Sequence, residues 1–421
     1  MLLRFGVENH RSIREKQELS LVASPLDDVT RGLITCSAAH GRKLLPAVVI
    51  YGANASGKST LVSALRWMRE AILQSHSRGE PGGSVPISPF LLDVESATNP
   101  TICDMDFTVG DVRYHYGFSA TKDAFTTEWL YSYPNDRRQS LFEREGVEFS
   151  FGRGLKGKNR VISELTRPNS LFMSAAAQNG HTQISNIVRF FRSIHIDNGS
   201  SNYINMTELK DAVIDRRVID FLKNVGTGVV DYRMKEKQLT ERSVEFRQTL
   251  YSIFKKNMGD DFNIDDYEKP FEVKLGHAGN QNNVIYLDML SESAGTKRLL
   301  FLLNRLFKVL DEGSIMVIDE LNASLHTQAC EALLALFSLP STNPKGAQLI
   351  ATTHDTNLLR SSVLRRDQVW FTEKDERGAT HFYPLTDIRS RKGDNIERGY
   401  LQGRYGAIPL SGSVEDLISG I

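Results

Sequence analysis

Eight consecutive residues carry the clearest chemistry in the chain: Gly52-Ala53-Asn54-Ala55-Ser56-Gly57-Lys58-Ser59. They fit GxxxxGK[ST] and lie between an apolar strand-like run, LPAVVIYGA, and a helix-like run, LVSALRWMREAILQ. Glycines let such a loop wrap tightly, so its N–H groups point at phosphate oxygens. The helix behind it turns its positive end to the same anion. Lys58 would reach β- and γ-phosphates, and the Ser59 hydroxyl would hold Mg²⁺. Gly52, Asn54, Ala55, Ser56, Gly57 and Thr60 complete the nucleotide-binding set in this reading. A chance match to the pattern is the alternative, and the strand-loop-helix context weighs against it.

Three further stretches fit around it. Ser314-Ile315-Met316-Val317-Ile318-Asp319-Glu320 is an apolar strand ending in two carboxylates, a Walker B pattern. A buried strand does not carry two terminal acids cheaply unless they are solvated, paired or metal-bound. Asp319 would bind Mg²⁺, and Glu320 would orient and polarise an attacking water. Ala351-Thr352-Thr353-His354 ends the next apolar strand, and His354 could contact a γ-phosphate and that water. Ser291-Glu292-Ser293-Ala294-Gly295-Thr296-Lys297 precedes a long amphipathic run and would make another anion site, or simply an ordinary helix cap.

These motifs need a scaffold. The segment from about 101 to 148 has period-two patterning (CDMDFTV, VRYHYGFSA, TTEWLYSY, QSLFERE, VEFSF) and predicts an antiparallel meander. The middle is mixed, with helix-like pieces near 168–192, 206–224 and 241–258, then strand-like FEVKLGH and NVIYLDML. No apolar heptad persists long enough for a coiled coil. The last part alternates helices with continuous apolar strands, which predicts a parallel sheet covered on both faces. DQVWFTEKDERGATHFYPL reads as a hairpin.

The division expected is 1–152, an N-lobe with the phosphate loop and meander; 153–283, a largely helical insertion; and 284–421, a C-lobe with the remaining motifs. The 421 residues balance 51 basic against 51 acidic side chains, which argues against a protein coated with cations for non-specific nucleic-acid binding. Three scattered cysteines indicate neither a disulfide framework nor a zinc site. With no signal-peptide core and no membrane-length apolar run, a cytoplasmic protein is expected.

Taken in order, the motifs resemble those of the ABC-type ATPases: Walker A, a signature segment, Walker B, a D-loop and a switch histidine. GANASGKST and the opening VENHRSI are similar to the heads of SMC and double-strand-break-repair ATPases. The nearest resemblance is to short bacterial "AAA family" ATPases related to the OLD (overcoming lysogenization defect) proteins of abortive-infection and retron phage-defence systems. Asp319-Glu-Leu-Asn-Ala-Ser-Leu-His326, Thr352-Thr-His-Asp355 and Gly403-Arg-Tyr-Gly-Ala-Ile-Pro409 carry it.

The resemblance implies an α/β, ABC-ATPase-like head with a mixed core sheet, an antiparallel β subdomain and a mostly helical insertion. It implies ATP and Mg²⁺ as ligands and a homodimer or higher homo-oligomer. Ser293 and Gly295 of one copy would meet the γ-phosphate bound by Lys58 of another. Arg11 and Ser12 would lie near the nucleotide, Asn54 near the γ-phosphate, and Asn322 to Leu325 would form the D-loop. The signature reads ESAGT rather than LSGGQ, and Asn322 stands where the family usually has an acid. OLD nucleases carry a C-terminal Toprim domain. Only 67 residues follow His354 in the 421-residue chain, so a nuclease or toxin effector is expected on a separate chain.

One basic stretch is left over. Arg153, Lys156, Lys158 and Arg160 lie among three glycines and no acid. A mobile loop of this kind could touch nucleic-acid phosphates, or it is a solvated surface loop. It motivates the competing function, a DNA-binding or scaffolding module that uses ATP binding to set its shape.

Overall fold

Ala47–Gly52, strand β5, is buried at all six positions, which a strand sustains only where both faces of its sheet are covered. It lies inside a six-stranded sheet ordered β11 (Ile194–Asp197), β15 (Ile315–Ile318), β16 (Gln348–Thr353), β5, β17 (Val369–Lys374), β18 (Thr380–Pro384). The first five strands are parallel, and β18 returns antiparallel beside β17 as the expected hairpin. This computed structural model describes residues 1–26, 28, 32–197, 214–236, 271–280, 283–360, 363–388 and 393–407.

The period-two runs form an antiparallel sheet of seven strands. Its order is β10 (Glu148–Phe151), β9 (Gln139–Glu145), β8 (Phe125–Tyr133), β7 (Val112–Ala120), β6 (Thr101–Val109), β1 (Leu2–Glu8), β2 (Gln17–Ser20). A two-stranded ribbon, β3 (Ile34–Cys36) and β4 (Arg42–Leu44), completes this part. Helix α1 (Lys58–Arg78) buries Leu61, Val62, Leu65, Met68 and Ile72, a stripe at helical spacing. One apolar core joins that stripe to Phe5, Phe107 and Phe118 of the antiparallel sheet and to Val48, Ile50, Val317 and Ile350 of the parallel one. Helix α2 (Val94–Thr98) starts behind Asp93, whose carboxylate accepts from the Glu95 N–H.

By its internal contacts the chain divides into two compact units, Met1–Gly199 with Lys308–Ile421, and Ser200–Phe307. Residues 153–199 thus belong with the first unit, not with the sequence-based insertion that starts at 153. The physical reason is packing. Helices α3 (Asn159–Leu165), α4 (Phe172–Gln178) and α5 (Thr182–Arg192) bury Ile162, Phe172, Ile187 and Phe191 in the same core as β6 to β9. A buried carboxylate pins them: Glu128 of β8 accepts the Phe172 and Met173 N–H groups (2.7 and 2.9 Å) and the Tyr116 hydroxyl (2.9 Å).

In the second unit, α6 (Arg216–Asn224) packs on a three-stranded antiparallel sheet of β12 (Val229–Glu236), β13 (Phe271–Ala278) and β14 (Val284–Asp288), and α7 (Ala294–Glu312) begins there. The expected helix at 241–258 lies outside the described residues. Helices α8 (Thr327–Ser338) and α9 (Ile396–Leu401) return to the first unit. Among the described residues, no helix is long and apolar enough to cross a membrane.

Candidate functional site

Strand order decides where the chemistry gathers. β5 lies between β16 and β17, and parallel pairing aligns Thr353 with Tyr51 and Ile318 with Ala351. The carboxyl ends of β5, β15 and β16 therefore open on one edge, the edge at which open α/β sheets bind ligands. Residues 52–59, 319–320 and 354 all leave the sheet there.

The loop after β5 turns through Ala55 (φ 63°) and Gly57 (φ 112°) and enters α1 at Lys58. A Cβ on Gly57 would overlap Thr380 Oγ1, and one on Gly52 would overlap Thr372 Oγ1. Both glycines are demanded by the close approach of the β17–β18 hairpin, which also grips the loop directly. Ser56 Oγ lies 2.5 Å from Thr372 Oγ1, and the Thr380 hydroxyl donates to Ser56 O at 2.8 Å.

Lys58 is only 5% exposed. Its ammonium donates to Gly52 O (2.7 Å) and Ala53 O (2.8 Å) and has no carboxylate at ion-pair distance among the described residues. Burial lowers its pKa to about 8, against the opposing pull of Asp319 and Glu320. A buried cation held by two carbonyls keeps a third donor and its charge for an anion. That is the fit of this loop to a polyphosphate.

Across from it, the fully buried Thr352 organises the acidic turn. Its hydroxyl donates to Asp319 Oδ1 (2.6 Å) and accepts the Glu320 N–H (2.8 Å), while its carbonyl accepts the Leu321 N–H (2.8 Å). Glu320 sits in the left-handed region (φ 57°), which turns it out of the strand at the sheet edge. Partial burial and the Lys58 ammonium lower the His354 pKa, and Glu320 and Asp319 oppose them, so these four groups share one electrostatic neighbourhood. No cluster of three or more His, Cys, Asp or Glu suited to a metal occurs among the described residues. The donor pair of Ser59, exposed at the helix start, and half-buried Asp319 suits a hard cation that completes its shell with water and phosphate oxygens.

One residue with no role expected from the sequence emerges here, Thr352; its only signal was one of two adjacent hydroxyls at the end of an apolar strand. Asn322, expected in the D-loop, accepts both the Thr353 hydroxyl (2.9 Å) and the His354 N–H (3.2 Å) on its Oδ1, tying that loop to the histidine strand.

Ser12 lies beside the loop as expected. Its Oγ bridges Thr60 Oγ1 and Thr380 Oγ1, both at 2.9 Å. Arg11, at φ 50°, lines a cavity of about 480 Å³ with Phe90, Leu91, Leu92 and Lys374. Asn54 and Ala55 are exposed on the loop. In the second unit, Ser293 Oγ accepts the Thr296 N–H (3.1 Å), so it caps α7, and Gly295 lies in the first turn.

Residues 47–360 match the family described as "AAA domain, putative AbiEii toxin, Type IV TA system", well over half of the chain. The chain belongs to this family. The matched span of the AAA domain runs from β5 through the phosphate loop and the acidic turn to just past His354. Distant likenesses were also found among solved structures. "Crystal structure of the SmcHead bound to the C-winged helix domain of ScpA" is 12% identical, covers 91% of this chain and 97% of that one, and has a TM-score of 0.40. An Smc head domain with an extended coiled coil, bound to the C-terminal domain of ScpA and derived from Pyrococcus furiosus, is 13% identical, covers 91% and 96%, and has a TM-score of 0.37. No curated protein matches the chain.

Proposed function

We propose that this AAA-domain protein is an ATP-binding and hydrolysing switch that controls a separate effector. The observation that carries the ATP reading is the buried Lys58 ammonium, with no carboxylate partner among the described residues, at a helix start and facing Asp319, Glu320 and His354. Loop amides and Lys58 take up phosphate charge. Ser59 and Asp319 would hold Mg²⁺, which supplies further charge neutralisation. Glu320 orients the attacking water, and His354, held by Asn322, faces the transferred phosphoryl group. The base would lie in the cavity by Arg11, against Phe90, Leu91 and Leu92.

Two copies would close around ATP, each adding Ser293 and Gly295 to the other's nucleotide, and hydrolysis would reopen them. The output would be control of a nuclease or toxin on another chain, in bacterial antiphage defence.

The test is phosphate release by the purified chain with ATP and Mg²⁺. Glu320→Gln should cut turnover by roughly 10²- to 10⁴-fold, the span of a lost general base, while leaving ATP binding in place. Unchanged turnover removes Glu320 from the mechanism. One observation favours a second reading. Arg153, Lys156, Lys158 and Arg160 are exposed and make no ion pair among the described residues, which supports a DNA-binding module that uses ATP only to set its shape. Robust turnover without DNA favours the switch; salt-sensitive DNA binding with negligible turnover favours the module.

A further inference from the structure

The segment Gly403-Arg404-Tyr405-Gly406-Ala407 has no part in the chemistry above, yet it returns to the phosphate loop. The Ala53 N–H donates to Ala407 O at 3.0 Å. The oxygen of that same peptide unit, Gly52 O, accepts from Lys58. The Gly52–Ala53 peptide is thus held from both sides, by Lys58 on its oxygen and by Ala407 on its N–H.

The segment is itself firmly seated. The Tyr400 hydroxyl donates to Ala407 O (3.0 Å), the Tyr383 hydroxyl donates to Tyr405 O (2.9 Å), and the Ala407 N–H donates to Glu373 Oε2 (3.2 Å). The rings of Tyr400 and Tyr405 stack on Phe371, with centroids 5.5 and 5.8 Å away. Phe371 belongs to β17 and pairs in register with Tyr51 of β5. Gly406 has φ 68°, and a Cβ there would overlap Glu373 Oε2, so the tight turn requires glycine. At its other end, α9 ion-pairs through Glu397 with Arg360, in the turn that follows the His354 strand.

We propose that Gly403–Ala407 is a positioning strap for the phosphate loop. The inference rests on reading residues 52–59 as a nucleotide site. Lys58 meets the phosphates with its third donor and keeps Gly52 O, while Ala407 fixes the N–H side of the same Gly52–Ala53 peptide. The strap therefore holds the loop in its phosphate-cradling shape before the nucleotide arrives, so binding does not have to order it. None of its groups touches the nucleotide; it acts through Ala53.

The test is equilibrium binding of ATP with Mg²⁺ to the full chain and to the double variant Tyr383→Phe, Tyr400→Phe. Each substitution keeps the ring and removes one hydroxyl. The strap predicts a Kd and KM raised about 5- to 10-fold, the size of one to two lost hydrogen bonds, with kcat at saturating ATP within about 2-fold. Glu373→Ala should behave in the same way, and Glu373→Gln, which keeps an acceptor for the Ala407 N–H, should restore near wild-type affinity. A merely structural role would lower the melting midpoint and leave the ATP affinity of the folded variants unchanged; that result overturns the strap alone. Wild-type protein that binds no ATP overturns the nucleotide-site reading, and the strap with it.

Discussion

Lys58, Asp319, Glu320 and His354 stood out in the sequence as candidates because phosphoryl chemistry would fix both residue type and spacing, and the parallel strands bring them to one sheet edge. The hydrogen bonds of Thr352 and Asn322 were not legible, because they reach residues about thirty positions away, which no local pattern encodes. Thr352→Val keeps shape and burial but removes the hydroxyl that holds Asp319 and the Glu320 N–H. With Asp319 as the proposed Mg²⁺ ligand, turnover should fall roughly 10- to 100-fold, as for groups that orient a metal-binding carboxylate, and the Mg²⁺ requirement should rise. Turnover within 2-fold of wild type, from steady-state phosphate release, would remove Thr352 from the site.

His10 supplies a second residue-scale prediction. It is 2% exposed, its Nε2 lies 3.2 Å from Ser63 Oγ, and its ring stacks on Trp67. Burial, with a contribution from Arg11, lowers its pKa from 6.5 to about 4. The unfolded chain then binds this proton more tightly than the folded one. The stability from neutral His10 is whole above pH 6.5 and is lost as pH falls towards 4, on the order of 3 kcal/mol in all. His10→Phe keeps the stack and cannot titrate, so its urea-unfolding free energy should fall less between pH 7 and pH 4.5 than that of wild type. Equal losses would contradict the assignment.

At the scale of elements, the meander was readable because half-buried strands print their period in the sequence, and the β17–β18 hairpin because Glu376-Arg377-Gly378 marks its turn. The role of 153–199 was not. A run of glycines and cations reads as a free loop, yet Leu155 is buried within it and Asn159 Oδ1 lies 2.8 Å from His181 Nε2, so the four cations are displayed from an anchored segment. The element joint most exposed to test is Glu128, which ties β8 to the start of α4. Burial raises its pKa, opposed first by Arg144, 3.8 Å away, and by the amides and hydroxyl it accepts. Glu128→Ala leaves Arg144 buried without that partner and should cost about 3–5 kcal/mol in chemical denaturation. A loss below about 1 kcal/mol would show that the carboxylate does not hold the joint.

At the scale of the molecule, the balance of 51 acidic and 51 basic residues argues against a surface coated with cations for non-specific DNA binding. Family membership was legible from the order of the motifs together with the stretches 319–326, 352–355 and 403–409. The split into two units was not, because it depends on which helices share a core. If ATP closes two copies, Glu320→Gln with ATP and Mg²⁺ should double in mass by light scattering, and Ser293→Arg added to it should keep the protein monomeric. A Glu320→Gln protein that stays monomeric with ATP bound would set the closure reading aside.

If Lys58 holds the phosphates as proposed, ATP binding measured calorimetrically should differ between wild type and Lys58→Ala. Losing the one cation in the loop should weaken binding by roughly 10- to 100-fold, the worth of a charged hydrogen bond to phosphate. Equal affinity in the two proteins, with both folded, would contradict the account.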